Sequence, residues 1–79
     1  MTDLEKYNAA FTDSLDVKPE QLDNLKYHDV PGWDSIGHMV LVDKLEEEFD
    51  VQFDTNDIIG FDSYRKGLEI LKKMGKTIL

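Results

Sequence analysis

Ser35-Ile36-Gly37-His38-Met39-Val40-Leu41-Val42-Asp43-Lys44-Leu45-Glu46-Glu47-Glu48-Phe49 is the stretch whose reading decides the fold. Its apolar residues recur at helical spacing: Met39, Val42, Leu45 and Phe49 form an inward stripe with Leu41 on its flank. Asp43, Glu46, Glu47 and Glu48 fall on other faces. The spacing predicts an amphipathic, acidic helix over residues 35–49. Pro31-Gly32 marks a turn just ahead of it, and Trp33-Asp34 leads from the turn into the helix.

Working outward, the N-terminal side opens on a second helix. Thr2-Asp3-Leu4-Glu5 has the form of a capping box, in which Thr2 caps and Glu5 returns the bond. Leu4, Tyr7, Phe11 and Leu15 follow at helical spacing, so this helix runs to about Leu15. Pro19 disfavours helical geometry at Lys18. Residues 16–34 then form a long connection, and such loops are often functional. Val17, Leu22, Leu25, Val30 and Trp33 are expected to dip into the core and pin it.

On the C-terminal side, Asp50-Val51-Gln52-Phe53 reads as a short extended link with no second strand to pair with. Asp54 or Thr55 can cap a one-turn helix through Ile58 and Ile59, ended by Gly60. Ser63 caps a last helix whose Tyr64, Leu68 and Leu71 face inward, with Gly75 ending it. The expected fold is all-α: a four-helix bundle of three longer helices and one short one, with a long first loop, in a single domain over residues 1–79. Each stripe is too short to be stable alone, so the helices must bury their faces against one another.

Composition sets bounds on function. A chain of 79 residues makes one thin core and has little wall for a deep substrate cleft. The 17 acidic and 9 basic side chains leave a formal net charge of −8, which repels nucleic acid and anionic lipid and attracts basic protein surfaces. Acidity of this kind also serves plain solubility. The absence of cysteine excludes disulfides and zinc–thiolate sites and fits a reducing, cytoplasmic setting. No long apolar run spans a bilayer, and Met1 to Lys6 lacks a signal peptide's pattern.

Ser35 is the chemically informative residue. A serine at the start of a helix needs no function beyond capping, because its oxygen can satisfy a first-turn N–H. The same helix end stabilises a phosphate through its dipole and its unpaired N–H groups. A phosphate ester on Ser35 would sit in that field. Asp34 opposes it electrostatically, so Asp34 either serves a partner enzyme or caps the helix itself.

Gly32-Trp33-Asp34-Ser35-Ile36-Gly37-His38-Met39 resembles the attachment site of acyl carrier proteins and related peptidyl carriers, whose hallmark is Asp-Ser-Leu or a close variant at the start of the second helix. Leu41 to Phe49 is similar to the helix that follows in that family, and Phe61-Asp62-Ser63-Tyr64 to the start of its last helix. The likeness covers nearly the whole chain in order and spacing. It implies that Ser35 accepts 4′-phosphopantetheine from coenzyme A through a separate phosphopantetheinyl transferase. The protein would then carry acyl or aminoacyl groups as thioesters for a loading ligase and downstream acyl-transfer enzymes, and would catalyse nothing itself. The missing cysteines follow, since the thiol comes with the arm.

The resemblance also implies a partner face on the second helix, with Ile36, Val40, Asp43 and Glu47 outward and His38 at the edge of that face. Solvation alone accounts for any one of Glu46, Glu47 and Glu48. Gly37-His38-Met39 stands where carriers of the fatty-acid type often have an acidic residue followed by threonine and valine. Gly37 is like the glycine after Ser-Leu in many peptidyl carriers. Val40 and Asp43 replace residues commonly acidic and methionine. Trp33 before Asp-Ser is frequent in carriers of specialised pathways, so a specialised biosynthetic pathway is implied. In the family, acyl chains can slip between the second and third helices. Leu45, Phe53, Ile58 and Phe61 would line that space, and ordinary packing is the favoured reading of all four.

Other chemistries fit less well. Asp34, Ser35 and His38 suggest a triad, but Ser35 and His38 share one helical turn, which does not leave an imidazole where an oxyanion hole could also form. The Gly-x-Ser-x-Gly elbow is absent. His28 and His38 lie in no metal-binding motif, and in Asp54-Thr55-Asn56-Asp57 the position of a calcium loop's bidentate ligand would be Arg65. No catalytic residue and no metal ligand is assigned. A monomer is expected, since enzymes must visit the exposed face in turn. A non-covalent interaction module with a degenerate carrier fold is the alternative in a different functional class.

Overall fold

In a computed structural model, which describes residues 2–78, four α-helices surround one core and no strand is formed among the described residues. Met1 and Leu79, the ends of the expected 1–79 domain, lie outside them. The helices are α1 (Asp3–Leu15), α2 (Ser35–Phe49), the six-residue α3 (Thr55–Gly60) and α4 (Tyr64–Lys73). The fold is the expected all-α arrangement of three longer helices and a short one, with α1 and α2 as the main packed pair.

Each helix starts where a side chain can take up an orphan N–H. Thr2 and Glu5 form the reciprocal capping box at α1. Asp54 accepts from the Asp57 N–H at 2.7 Å and Ser63 from the Lys66 N–H at 3.0 Å. The ends are equally local. Asp16 and Asp50 take left-handed conformations after α1 and α2. After α4, the Lys76 N–H donates to the Leu71 carbonyl and Gly75 adopts φ 87, a Schellman ending.

The core is strongly aromatic. The Phe11 ring touches Tyr7, Tyr64, Trp33 and Phe61 at centroid distances of 5.0, 5.2, 5.5 and 5.9 Å, respectively. It thereby joins α1, the long connection, the link before α4 and α4 itself. Tilted and edge-on pairs of this kind add roughly 0.5–1.5 kcal/mol each beyond area burial. Tyr7 completes the cluster by donating its hydroxyl to the Tyr64 carbonyl at 2.6 Å, and the Tyr64 hydroxyl donates to the Asn8 side chain.

The connection over residues 16–34 is pinned as expected. Val17, Leu22, Leu25 and Trp33 are buried and Val30 half-buried. It also contains a 3-10 turn at Pro19–Gln21. An unforeseen clamp closes it from the other side. The Tyr27 N–H donates to the Asp62 carbonyl and the Tyr64 N–H to the Leu25 carbonyl, both at 2.9 Å. Arg65 bonds Asp23 at 3.0 Å beside them.

The structure corrects three details of the helix faces. Met39 is 45 % exposed, not inward, while Leu41 is fully buried rather than flanking. The inward arc of α2 runs through Gly37, Leu41 and Leu45, with Val42 and Phe49 beside it. Gly37 sets this rotation: a Cβ there would collide with the Gly32 carbonyl oxygen, so the first turn lies directly on the Pro31-Gly32 turn. In α4 the inward positions are Tyr64, Gly67, Ile70 and Leu71, and Leu68 is only half-buried. Glu46 is not on a free face. Half-buried, it accepts the Phe53 N–H at 2.8 Å and so satisfies the backbone of the extended link.

Candidate functional site

The start of α2 is built by its neighbours. Trp33 is fully buried against Phe11 and Phe61 and anchors the chain immediately before the helix. Asp34, extended and exposed, is the N-cap: its Oδ1 accepts the Gly37 N–H at 2.8 Å and its carbonyl accepts the His38 N–H at 2.8 Å. Of the two roles open to Asp34, the structure shows capping. Ser35 is therefore the first helical residue rather than the cap. Its side chain is exposed and outside the capping bonds.

That division of labour decides what the serine can do. A capping serine would spend its oxygen on the backbone. Here the carboxylate does so, and the hydroxyl is left facing solvent at the positive end of a 15-residue helix. A serine hydroxyl so placed is weakly nucleophilic by itself, and a visiting enzyme would have to supply the base.

The expected face residues lie together. Ile36, Val40, Asp43 and Glu47 are spaced at three and four residues along α2, so they form one stripe, and all four are exposed. Ile36 is 76 % and Val40 48 % exposed. Two exposed apolar residues were missed from sequence. Met39 belongs to the same face. Ile59, 75 % exposed on α3, is a further uncovered apolar side chain. The missed signal was Ile59's position next to Ile58 in a one-turn helix, where only one of two adjacent apolar residues can turn inward.

His38 does not lie at the edge of this face. It is half-buried, and its ring bridges Trp33 and the α3 backbone: the Trp33 indole N–H donates to Nδ1 at 3.0 Å, and Nε2 meets the Ile58 carbonyl at 2.8 Å. The expected edge position fails because both ring nitrogens find partners inside the fold, which allows the ring to be half-buried.

Leu45, Phe53 and Phe61 are packed in the core, and Ile58 is half-buried against it. A hollow of about 250 Å³ opens nearby, lined by Tyr27, His38, Ile58, Ile59, Phe61 and Asp62. A second groove, of about 600 Å³, lies between α3 and α4 among Asn56, Asp57, Lys66, Lys72 and Lys73. Asp57 there pairs with Lys73 at 3.7 Å. Among the described residues no three His, Asp or Glu side chains converge as a metal site. No helix is long and apolar enough there to cross a membrane. Set against protein-family models and against curated proteins, the chain gives no match to either.

Proposed function

We propose that this protein is an acyl-carrier-like carrier whose Ser35 hydroxyl is esterified with 4′-phosphopantetheine by a phosphopantetheinyl transferase. The observation that carries the reading is the exposed Ser35 hydroxyl at the first position of α2, relieved of capping by Asp34, within Trp-Asp-Ser-Ile-Gly. The residues fit the group. An open hydroxyl gives a transferase access, and the first turn of α2 presents backbone N–H groups and a favourable dipole to a phosphate. Once attached, the arm supplies a thiol for acyl or aminoacyl thioesters and raises the cargo's effective concentration at docked enzymes.

The chain's own part is presentation. Trp33 and the Gly32–Gly37 contact hold the serine-bearing turn still. The stripe Ile36, Val40, Asp43 and Glu47 offers carboxylates and apolar contact to basic surfaces of the transferase, a loading ligase and acyl-transfer enzymes. The protein itself catalyses nothing. Trp33 and Gly37 favour a specialised biosynthetic pathway over housekeeping fatty acid synthesis.

Intact-protein mass spectrometry after incubation with coenzyme A and a broad-specificity transferase tests this. A single phosphopantetheine mass gain is expected, and it disappears in Ser35→Ala. No gain with several transferases sinks the carrier reading. The exposed Ile36, Met39 and Val40 would then mark a non-covalent interaction module.

A further inference from the structure

The imidazole of His38 is bonded at both nitrogens, and each bond reaches a different part of the fold. An indole N–H can only donate, so the Nδ1 atom that receives it at 3.0 Å carries no proton. A carbonyl can only accept, so the Nε2 atom 2.8 Å from the Ile58 oxygen carries the proton. The two contacts agree on one species, the neutral imidazole with its hydrogen on Nε2.

Ile58 lies in the last turn of α3, where helix carbonyls have no partner inside the helix. A helix of six residues has no stability of its own. None of the six is fully buried, and the Asp57–Lys73 pair is a long contact with an exposed lysine. His38 is therefore a principal anchor of α3. It sits three residues after Ser35, one turn along the same helix.

We infer that His38 is a positioning residue: its neutral ring, set by Trp33, ties the end of α3 to the first turns of α2 and fixes where Ile59 stands relative to Ser35. The tie stands on geometry alone. Its consequence for loading rests on the reading of Ser35 as the acceptor.

Three substitutions separate the two bonds. His38→Asn keeps an acceptor near the Nδ1 position, His38→Gln keeps a donor near Nε2, and His38→Phe keeps the ring and loses both. Amide exchange across Thr55–Gly60 should quicken about five- to tenfold in the Asn and Phe variants, the size expected for losing one hydrogen bond, and much less in Gln. Trp33 is the sole tryptophan, so its indole N–H gives one resonance. Exchange of that proton should quicken in Gln and Phe and not in Asn. Equal α3 exchange in all four proteins, or equal acceleration in Gln and Asn, overturns the tie.

Transfer of phosphopantetheine from coenzyme A gives the functional readout: KM for the carrier should rise several-fold in His38→Asn, more than in His38→Gln. If the unmodified chain accepts no group, the Ser35 reading fails while the exchange results still judge the tie. If it loads and His38→Asn keeps its KM despite a loosened α3, the positioning role is overturned.

Discussion

At the scale of single residues, the serine-bearing turn depends on the absence of one carbon atom. Gly37 faces the Gly32 carbonyl so closely that a methyl group cannot be inserted without moving backbone. Gly37→Ala should therefore destabilise the fold by about 1–3 kcal/mol, even though alanine favours helices, because overpacking outweighs propensity. Denaturant unfolding checks it, and a variant as stable as the parent would mean that the turn yields freely. Little of this was legible beforehand. Glycine at position 37 reads as a helix weakness until its spatial neighbour, five residues back, is known. The role of Ser35 was visible as a set of alternatives, and Asp34 resolved one of them by capping. His38 was misplaced because a polar side chain reads as surface when its two partners, Trp33 and the Ile58 carbonyl, are out of sight.

At the scale of elements, helix ends were the most readable features, since capping is a matter of three or four residues. Thr2, Asp54 and Ser63 cap as expected. Faces were harder. Hydropathy pointed the α2 stripe through Met39, whereas packing turned Leu41 inward and left Met39 half out. Glu46 was hidden for the same reason, as its partner is the backbone of Phe53 seven residues on. The outward stripe of α2 remains mixed, with Ile36, Met39 and Val40 near Ser35 and Asp43 and Glu47 further along. Reversing both charges, Asp43→Lys with Glu47→Lys, should slow phosphopantetheine loading about tenfold at low salt, with the difference shrinking as salt screens the encounter. Helicity should not change, since both side chains are exposed. Loading rates that match the parent at low salt would exclude this stripe as the approach surface.

At the scale of the whole molecule, the aromatic cluster around Phe11 joins segments far apart in sequence, and its polar centre is Tyr7. Burial, and next the neighbouring Tyr64, push the Tyr7 phenol far above its usual range. Tyr64 is also raised, by burial and then by Asp23. A phenol whose folded value lies above its unfolded one contributes stability that is complete below the unfolded value of about 10 and lost as pH climbs past it. Thermal unfolding should therefore fall steeply above pH 10. Tyr7→Phe should blunt that fall while costing about 1 kcal/mol at neutral pH for the lost bond to the Tyr64 carbonyl. An unaltered alkaline slope in Tyr7→Phe would place the sensitivity elsewhere. The packing of helices was expected, but this cluster and the clamp between residues 25–27 and 62–64 were not, because nothing local in a chain announces which distant segment it will meet.

That clamp has a consequence for synthesis. Backbone bonds from Leu25 and Tyr27 end on Tyr64 and Asp62, so the platform beneath Ser35 is fastened by a part of the chain translated long after it. While the C-terminal third is still inside the ribosome, the segment leading to the serine lacks these two bonds. On the proposed carrier reading, a transferase that requires the finished surface would meet it only once α4 has emerged.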